Sequence, residues 1–373
     1  MMSPETEAAL ADMVRAANGP LALRGGGTRG LSVDGEPLTA AGLRGVTLYE
    51  PGALTLVAQA GTPVAEIDAA LAAENQRLAF EPMDHRVLLG TEGEPTIGGV
   101  IAGNISGPRR IQVGAARDFA LGVRFVDGAG QIVKNGGRVM KNVTGYDLVK
   151  LMCGSWGTLG VLSEVSLKVL PVPETETTLV LGGLDPVQAV ETMSGALGSP
   201  FDVTGAAHDP QNGRTMIRLE GFADSVRYRA EQLRGRLAVE DSVLFEGSQS
   251  AELWTAVRDV QALAQTEGDI WRVSVKPSDG PRVLEAAPGA TALMDWGGGL
   301  IWLCTSAGLD LRAKLAGIGG HATLMRAEAA TKARLGVFQP EPAAVAALSA
   351  GLRAKFDPRG ILNSGLMTKT QAA

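Results

Sequence analysis

Apolar and polar positions along the chain change period several times, and each change predicts an element. The opening stretch MMSPETEAALADMVRAANG reads as an amphipathic helix with acids in its first turn. A strand-like run, LALR, then feeds the glycine cluster GGGTRG at 25–30. ALTLVAQAG (53–61) predicts a strand, after which Thr62 is placed to cap, and Pro63 to open, a helix whose Val64, Ile67 and Leu71 share one face. LGVRFVDGAGQIVKNGG is two alternating runs around an Asp127-Gly128-Ala129-Gly130 turn, which predicts a hairpin and antiparallel pairing. In VLSEVSLKVLP, Val161, Ser163, Val165, Leu167 and Val169 share one face, and Glu164, Ser166 and Lys168 the other. The amino-terminal part is therefore mixed α+β.

From Glu174 onward the glycine clusters thin out and strands and helices alternate. TTLVLGG, a helix opened by Asp185-Pro186, DVTGAAH, RTMIRLEG and a helix from Ala223 give the order β-α-β-β-α. A similar order recurs as WRVSVKP, PRVLEAA, TALMDW, LIWLCTS, LRAKLAG and HATLMRA, so two ferredoxin-like halves are expected from element order. EPAAVAALSAGLRAKFDPRG predicts a last helix stopped by Asp357-Pro358. The expected division is 1–172, 173–330 and a returning segment 331–373.

Composition narrows the class. With 373 residues and 45% hydrophobic content the chain suits a globular protein of two or three domains. The net charge of −6 arises from interspersed acids and bases, which argues against a nucleic-acid footprint or a polybasic membrane patch and for a small ligand. No apolar run approaches the roughly eighteen residues of a membrane span, and the amino-terminal pattern is not that of a signal peptide, so a cytoplasmic location without direct membrane insertion is expected. Cys153 and Cys304 are the only cysteines, too few for a disulfide framework or a four-thiolate iron–sulfur cluster. No metal site is expected.

The 49 glycines are numerous, and most gather between residues 25 and 160, which assigns ligand holding to the amino-terminal half. Gly25, Gly27 and Gly30 satisfy G-x-G-x-x-G, and Glu50 lies where a ribose-binding acid of a nicotinamide-binding unit would stand. The residues after Gly30 rule that reading out: LSVDGEPLTAAGLRG is broken by Gly35, Pro37 and Gly42, so no helix opens at the third glycine. A plain surface turn remains an alternative. Two further clusters, PTIGGVIAGNISGPRR (95–110) and CGSWGTLGV (153–161), favour a ligand role, because backbone N–H groups from separate turns can wrap a diphosphate.

The ordered set RGGGT, GTPVAEIDAAL, PTIGGVIAGNISGPRR, ARDFALGVRFVDGAG, MKNVTGYDLVKLMCGSWGTLGVLSEVSLKVLP and FDPRGILNSG resembles the PCMH-type, vanillyl-alcohol-oxidase-like FAD-binding domain. IWRVSVKPSDGP, LMDWGGGLIWL and GGHATLMRA extend the likeness to the GlcE-type FAD-binding subunits of glycolate oxidase (glycolate dehydrogenase), most weakly over 183–265. The resemblance implies an α+β fold in which a PCMH-type FAD-binding domain carries a ferredoxin-like cap. It also implies that Gly25, Gly26, Gly27 and Thr28 form the first pyrophosphate loop, that Thr96, Gly98 and Gly99 form the second, and that Asn104, Ser106 and Gly107 continue the wrap. Arg117 and Asp118 would steady that loop, Gly157, Thr158 and Val161 would approach the flavin or adenine, and Asn363 would stand near the flavin. For the 157–161 group a tight helix-to-strand turn is the alternative. Covalent members carry a histidine where Thr28 stands, so FAD is expected to be non-covalent. In NSG, Ser364 replaces the expected proline, which loosens the turn around Asn363.

Oxidising a 2-hydroxy acid on a flavin needs a cation for the carboxylate, a base for the hydroxyl proton and a Cα–H aimed at the flavin. Arg272 and Arg326 are the candidate cations, and each offers a bidentate fork. His321 follows a Gly-Gly pair and is the first candidate base, ahead of His85 and His208. Against these stand a packed or capping His321, an outward-pointing Arg272, and Trp271, Trp296 and Trp302 as packing residues. Three functions are compatible with this set. The first is a subunit that oxidises glycolate to glyoxylate and passes electrons to an iron–sulfur partner beside a larger FAD-binding subunit. The second is a non-catalytic FAD-holding assembly subunit, and the third a stand-alone dehydrogenase for D-lactate or a similar acid. Any membrane contact would be peripheral, at the inner membrane, through partners.

Overall fold

A computed structural model describes residues 1–138 and 145–368. The segment MKNVT (140–144) of the resemblance and the end of the chain therefore lie outside the described residues. After the helix Glu7–Ala16, capped by Thr6 Oγ1 on the Ala9 N–H, β1 (Leu21–Arg24) pairs in parallel with β2 (Glu36–Thr39). No helix lies between them. Next comes a five-stranded antiparallel sheet, built from β3 (Val46–Glu50), β4 (Thr55–Gln59), β6 (Ala120–Val126), β7 (Ile132–Gly136) and β8 (Val161–Lys168), in the order β3-β4-β8-β6-β7. The short β5 (Gln76–Arg77) and β9 (Leu170–Pro171) pair separately.

Local chemistry explains most of this half. The β6–β7 hairpin turns where Asp127 Oδ1 accepts the N–H groups of Ala129 (2.9 Å) and Gln131 (2.8 Å). The helix Val64–Ala72 buries Ile67 and Leu71 in a core with Leu56, Val165 and Phe125. Its start differs from the sequence expectation. Pro63 takes the cap position, and the Thr62 hydroxyl, fully buried, donates to the Gln59 carbonyl at 2.7 Å and accepts from the Gly45 N–H at 2.9 Å. A tertiary tie to a neighbouring loop has outcompeted the local capping role of a threonine before a helix.

The second half is one eight-stranded antiparallel sheet. It contains β10 (Thr175–Gly182), β11 (Val203–Asp209), β12 (Arg214–Gly221), β13 (Ser242–Glu246), β14 (Asp269–Val275), β15 (Thr291–Asp295), β16 (Leu300–Thr305) and β17 (Gly320–Arg326). The order β13-β10-β12-β11-β15-β16-β14-β17 is two βαββαβ units meeting where His208 of β11 pairs with Met294 of β15. The helices Pro186–Leu197 and Ala223–Leu237 serve the first unit, and Gly280–Ala286 and Leu311–Lys314 the second. This is the α+β, doubly ferredoxin-like arrangement that element order predicts.

Period-2 alternation gives the sheet two different faces. Trp271, Val273, Met294, Ile301 and Leu324 pack under the helices. Leu293, Leu300, Trp302 and Met325 face the amino-terminal half, where Met83 and Leu88 join their cluster. Arg77, Glu81 and Arg109 from that half engage Arg218 and Glu220 of β12 in a buried ion-pair network. The chain ends by returning to the first half: the Leu21 N–H donates to the Ile361 carbonyl (2.7 Å) and the Asn363 N–H to the Leu21 carbonyl (3.1 Å).

Candidate functional site

A cavity of about 360 Å³ opens beside β1. Gly25, Gly26, Gly27, Thr28, Thr96, Gly98, Gly99, Gly157, Val161 and Asn363 all line it, so three glycine clusters and the carboxyl-terminal return meet in one place. The first two loops press directly on each other. A Cβ on Gly26 would overlap the Glu94 carbonyl, and one on Gly25 would overlap the Thr96 hydroxyl. Thr96 caps the short helix Ile97–Ala102 by accepting the Gly99 N–H at 3.3 Å. Asn363 fastens the far wall: its Oδ1 accepts the Leu23 N–H at 2.7 Å and its Nδ2 donates to the Trp156 carbonyl at 2.8 Å.

The other residues singled out in the sequence stand behind this wall. Asn104 Oδ1 accepts the Arg117 N–H at 3.0 Å, and Ser106 Oγ accepts the Ala116 N–H at 2.9 Å. Asp118 Oδ2 accepts the Ala115 N–H at 2.9 Å, and both Arg117 and Asp118 are exposed. Gly107 presses on the Glu81 carbonyl, and Thr158 is buried with its hydroxyl donating to the Ser155 carbonyl at 2.7 Å. None of these six lines the cavity.

The cavity contains donors without acceptors. Among the described residues the backbone N–H groups of Gly26, Gly27, Thr28 and Arg29 reach no protein acceptor. The Arg29 Nε and Nη2 atoms are buried and unpartnered as well. Desolvation pushes this guanidinium down to about 10, partly opposed by Asp84. Buried polar groups in folded proteins are nearly always paired, so the Arg29 nitrogens, together with the loop N–H groups beside them, call for an anion. A diphosphate-bearing nucleotide such as FAD fits it. Sequence reasoning passed over Arg29, whose only signal is a cation inside a glycine cluster.

A second cluster lies where the sheet faces the first half. Arg272 is half-buried on the same side of β14 as Ser274, beside Trp302 of β16, so it does not point away from the body of the protein. Its Cζ lies 5.2 Å from the Trp296 ring centroid and 6.0 Å from that of Trp302. His321 pairs with Ser274 across the β14–β17 ladder and is exposed. Desolvation, then the charges of Arg272 and Arg110, depress its pKa. His85 is 3% exposed, and burial followed by the Arg29 and Arg272 charges drives it to about 3, so it is neutral. Asp295 accepts the Trp296 N–H at 2.7 Å, and burial lifts its carboxyl to about 7.

Arg326 has a different task from the one expected. Its guanidinium donates to the carbonyls of Leu88 (2.9 Å), Ala264 (3.2 Å) and Thr266, so its fork is already filled by backbone. His208 is fully buried against the Thr215 hydroxyl at 2.9 Å.

Residues 1–136 match the family described as FAD binding domain. Over 353 residues the chain is 35% identical to glycolate oxidase subunit GlcE of Escherichia coli, covering 93% of this chain and 92% of that one. The chain belongs to the GlcE family of glycolate oxidase subunits. The chain is also 35% identical to glycolate oxidase subunit GlcD of Bacillus subtilis over 150 residues, 40% of this chain and 27% of GlcD. Among solved structures, alkyldihydroxyacetonephosphate synthase superposes with a TM-score of 0.68 at 16% identity, over 97% of this chain and 75% of that one. This GlcE-family chain thus carries a non-Rossmann FAD-binding fold. No helix among its described residues is long and apolar enough to cross a membrane.

Proposed function

We propose that this GlcE-family chain holds FAD non-covalently in the β1 cavity and takes part in oxidising glycolate to glyoxylate. The carrying observation is the run of unpartnered donors from Gly26 to Arg29 beside the unpaired Arg29 guanidinium. Gly25 to Thr28, Thr96, Gly98 and Gly99 would hold the diphosphate. Gly157, Val161 and Asn363 would close the wall, while Asn104, Ser106, Gly107, Arg117, Asp118 and Thr158 brace it from behind. Bound FAD would supply the hydride acceptor. Arg272 would bind the substrate carboxylate, and His321, neutral near pH 7 because its pKa is depressed, would take the hydroxyl proton.

Electron transfer onward would use partners. With only two cysteines the chain cannot ligate a four-thiolate cluster alone, so an iron–sulfur subunit and a larger FAD-binding subunit would complete the complex. Any membrane association would come through them. The test is anaerobic addition of glycolate to the FAD-loaded chain. Loss of the visible flavin absorbance supports oxidation by this chain, whereas a persistently yellow solution assigns it to holding flavin for a catalytic partner.

A further inference from the structure

Three guanidiniums near the junction of the halves are left out of ion pairs, although Asp84, Asp118 and Asp295 act on Arg29, Arg110 and Arg272 from farther away. Arg109, Arg218 and Arg77, the arginines of the ion-pair network, each contact Glu81 or Glu220. Arg29, Arg110 and Arg272, among the described residues, form no ion pair and donate no side-chain hydrogen bond to protein. Arg29 belongs to the cavity. Arg110 and Arg272 share a different feature, the Trp296 indole.

Trp296 is 7% exposed and pinned between the halves. It sits in the turn after β15, with its backbone N–H on Asp295 and its Nε1 donating to the Gly107 carbonyl of the FAD domain at 3.0 Å. Arg110, three residues beyond Gly107, places its Cζ 4.3 Å from the ring centroid, and Arg272 of the cap places its own at 5.2 Å. Two like charges held on one aromatic ring repel each other, and cation–π attraction offsets this only in part. Each is half-buried, which adds a desolvation cost. An anion in contact with both would offset both penalties.

We propose that Arg110 and Arg272, one from each half of the protein, clamp a single substrate carboxylate beside Trp296. The clamp deepens the glycolate reading and rests on it. It makes the substrate site a junction site, complete only while the cap is docked on the FAD domain. His321 lies on the same face of the sheet as Arg272, and His85 feels both Arg272 and the cavity's Arg29. The clamp therefore shares a sheet face with the candidate base, and His85 lies within the electrostatic reach of both its Arg272 and the cavity's Arg29.

The test uses the FAD-loaded full chain and oxalate, a two-carbon carboxylate with no Cα–H to lose. Oxalate affinity is read by calorimetry, and FAD content by the flavin released on acid precipitation. Arg110→Gln and Arg272→Gln should each keep FAD and each weaken oxalate by about tenfold or more, with KM for glycolate rising more than kcat falls. Arg110→Lys, which keeps the charge but loses the fork, should fall between wild type and Arg110→Gln. Undiminished oxalate affinity in Arg110→Gln, or loss of FAD from it, overturns the clamp, as does a wild-type chain that binds no oxalate. A wild type that binds oxalate through both arginines yet stays yellow with glycolate overturns the oxidation reading and leaves the clamp standing.

Discussion

The Arg218 guanidinium donates to both carboxylate oxygens of Glu81, 2.9 Å each, across the junction between the cap sheet and the FAD domain. Arg218 is 1% exposed and also lies 4.5 Å over the Trp254 ring. Burial raises the Glu81 pKa, but the opposing charges of Arg218 and Arg109 outweigh it and hold the carboxyl below its ordinary value. Removing one member strands a buried charge, so Arg218→Met should lower the unfolding free energy by about 3–5 kcal/mol. Urea denaturation measures this, and a loss below about 1 kcal/mol would show that the network does not hold the halves together.

The same network sets an acid limit. Burial raises the Glu220 pKa, yet Arg218, Arg109 and Arg77 overcome it and bring the carboxyl to about 2 from an ordinary 4.5. A depressed folded-state pKa means that this contribution is present above the unfolded value and is lost as pH falls toward the folded one. Thermal midpoints should therefore drop as pH is lowered from 4.5 toward 2, and Glu220→Gln should flatten that slope.

Arg29→Met separates stability from ligand binding. Without FAD the unpaired guanidinium is a burden, so the variant should melt no lower than wild-type apoprotein. FAD affinity should weaken by about 2–5 kcal/mol. Paired melting curves and FAD titrations check this, and unchanged FAD affinity would remove Arg29 from the cavity's role.

Asn363→Ala removes both bonds that tie the returning segment to Leu23 and Trp156. Two part-buried partners are left unsatisfied, at up to about 1–3 kcal/mol each. Hydrogen exchange at Leu23 should accelerate, and FAD should dissociate faster.

If His321 takes the substrate proton, kcat/KM should fall on the acid side with a midpoint below the ordinary histidine value of about 6.5, because the imidazole is depressed by desolvation and by Arg272 and Arg110. His321→Gln should abolish that limb and lower kcat by about 10²–10⁴. A pH profile identical to wild type would remove His321 from the proton path.

Period and punctuation made most of the fold legible. Alternation in Val161–Lys168 and the Asp127–Gly130 turn gave the central sheet, and Asp185-Pro186 marked the helix Pro186–Leu197, where Asp185 caps Val187 and Gln188. The strand Ser242–Glu246 and the helix Ser248–Arg258 escaped, because the strand is short and lacks clear alternation, although Asp241 and Gly247 flank it. Thr62 misled, since its hydroxyl answers to Gly45, which is distant in sequence. At the site, glycine clusters exposed the loops, but the arginines did not declare themselves. Arg110, Arg272 and Arg326 look alike in sequence, and only pairing distinguishes them: Arg326 meets carbonyls, whereas the other two meet Trp296.

Everything functional depends on FAD occupying the β1 cavity through reversible contacts. The direct measurement is the visible spectrum of the purified chain, taken after incubation with FAD and removal of excess, followed by acid precipitation. A yellow protein that releases about one FAD per chain into the supernatant, and loses it in Arg29→Met and Gly26→Ala variants that remain folded, is the predicted result. A colourless chain that takes up no FAD, or flavin that stays in the precipitate, would contradict it.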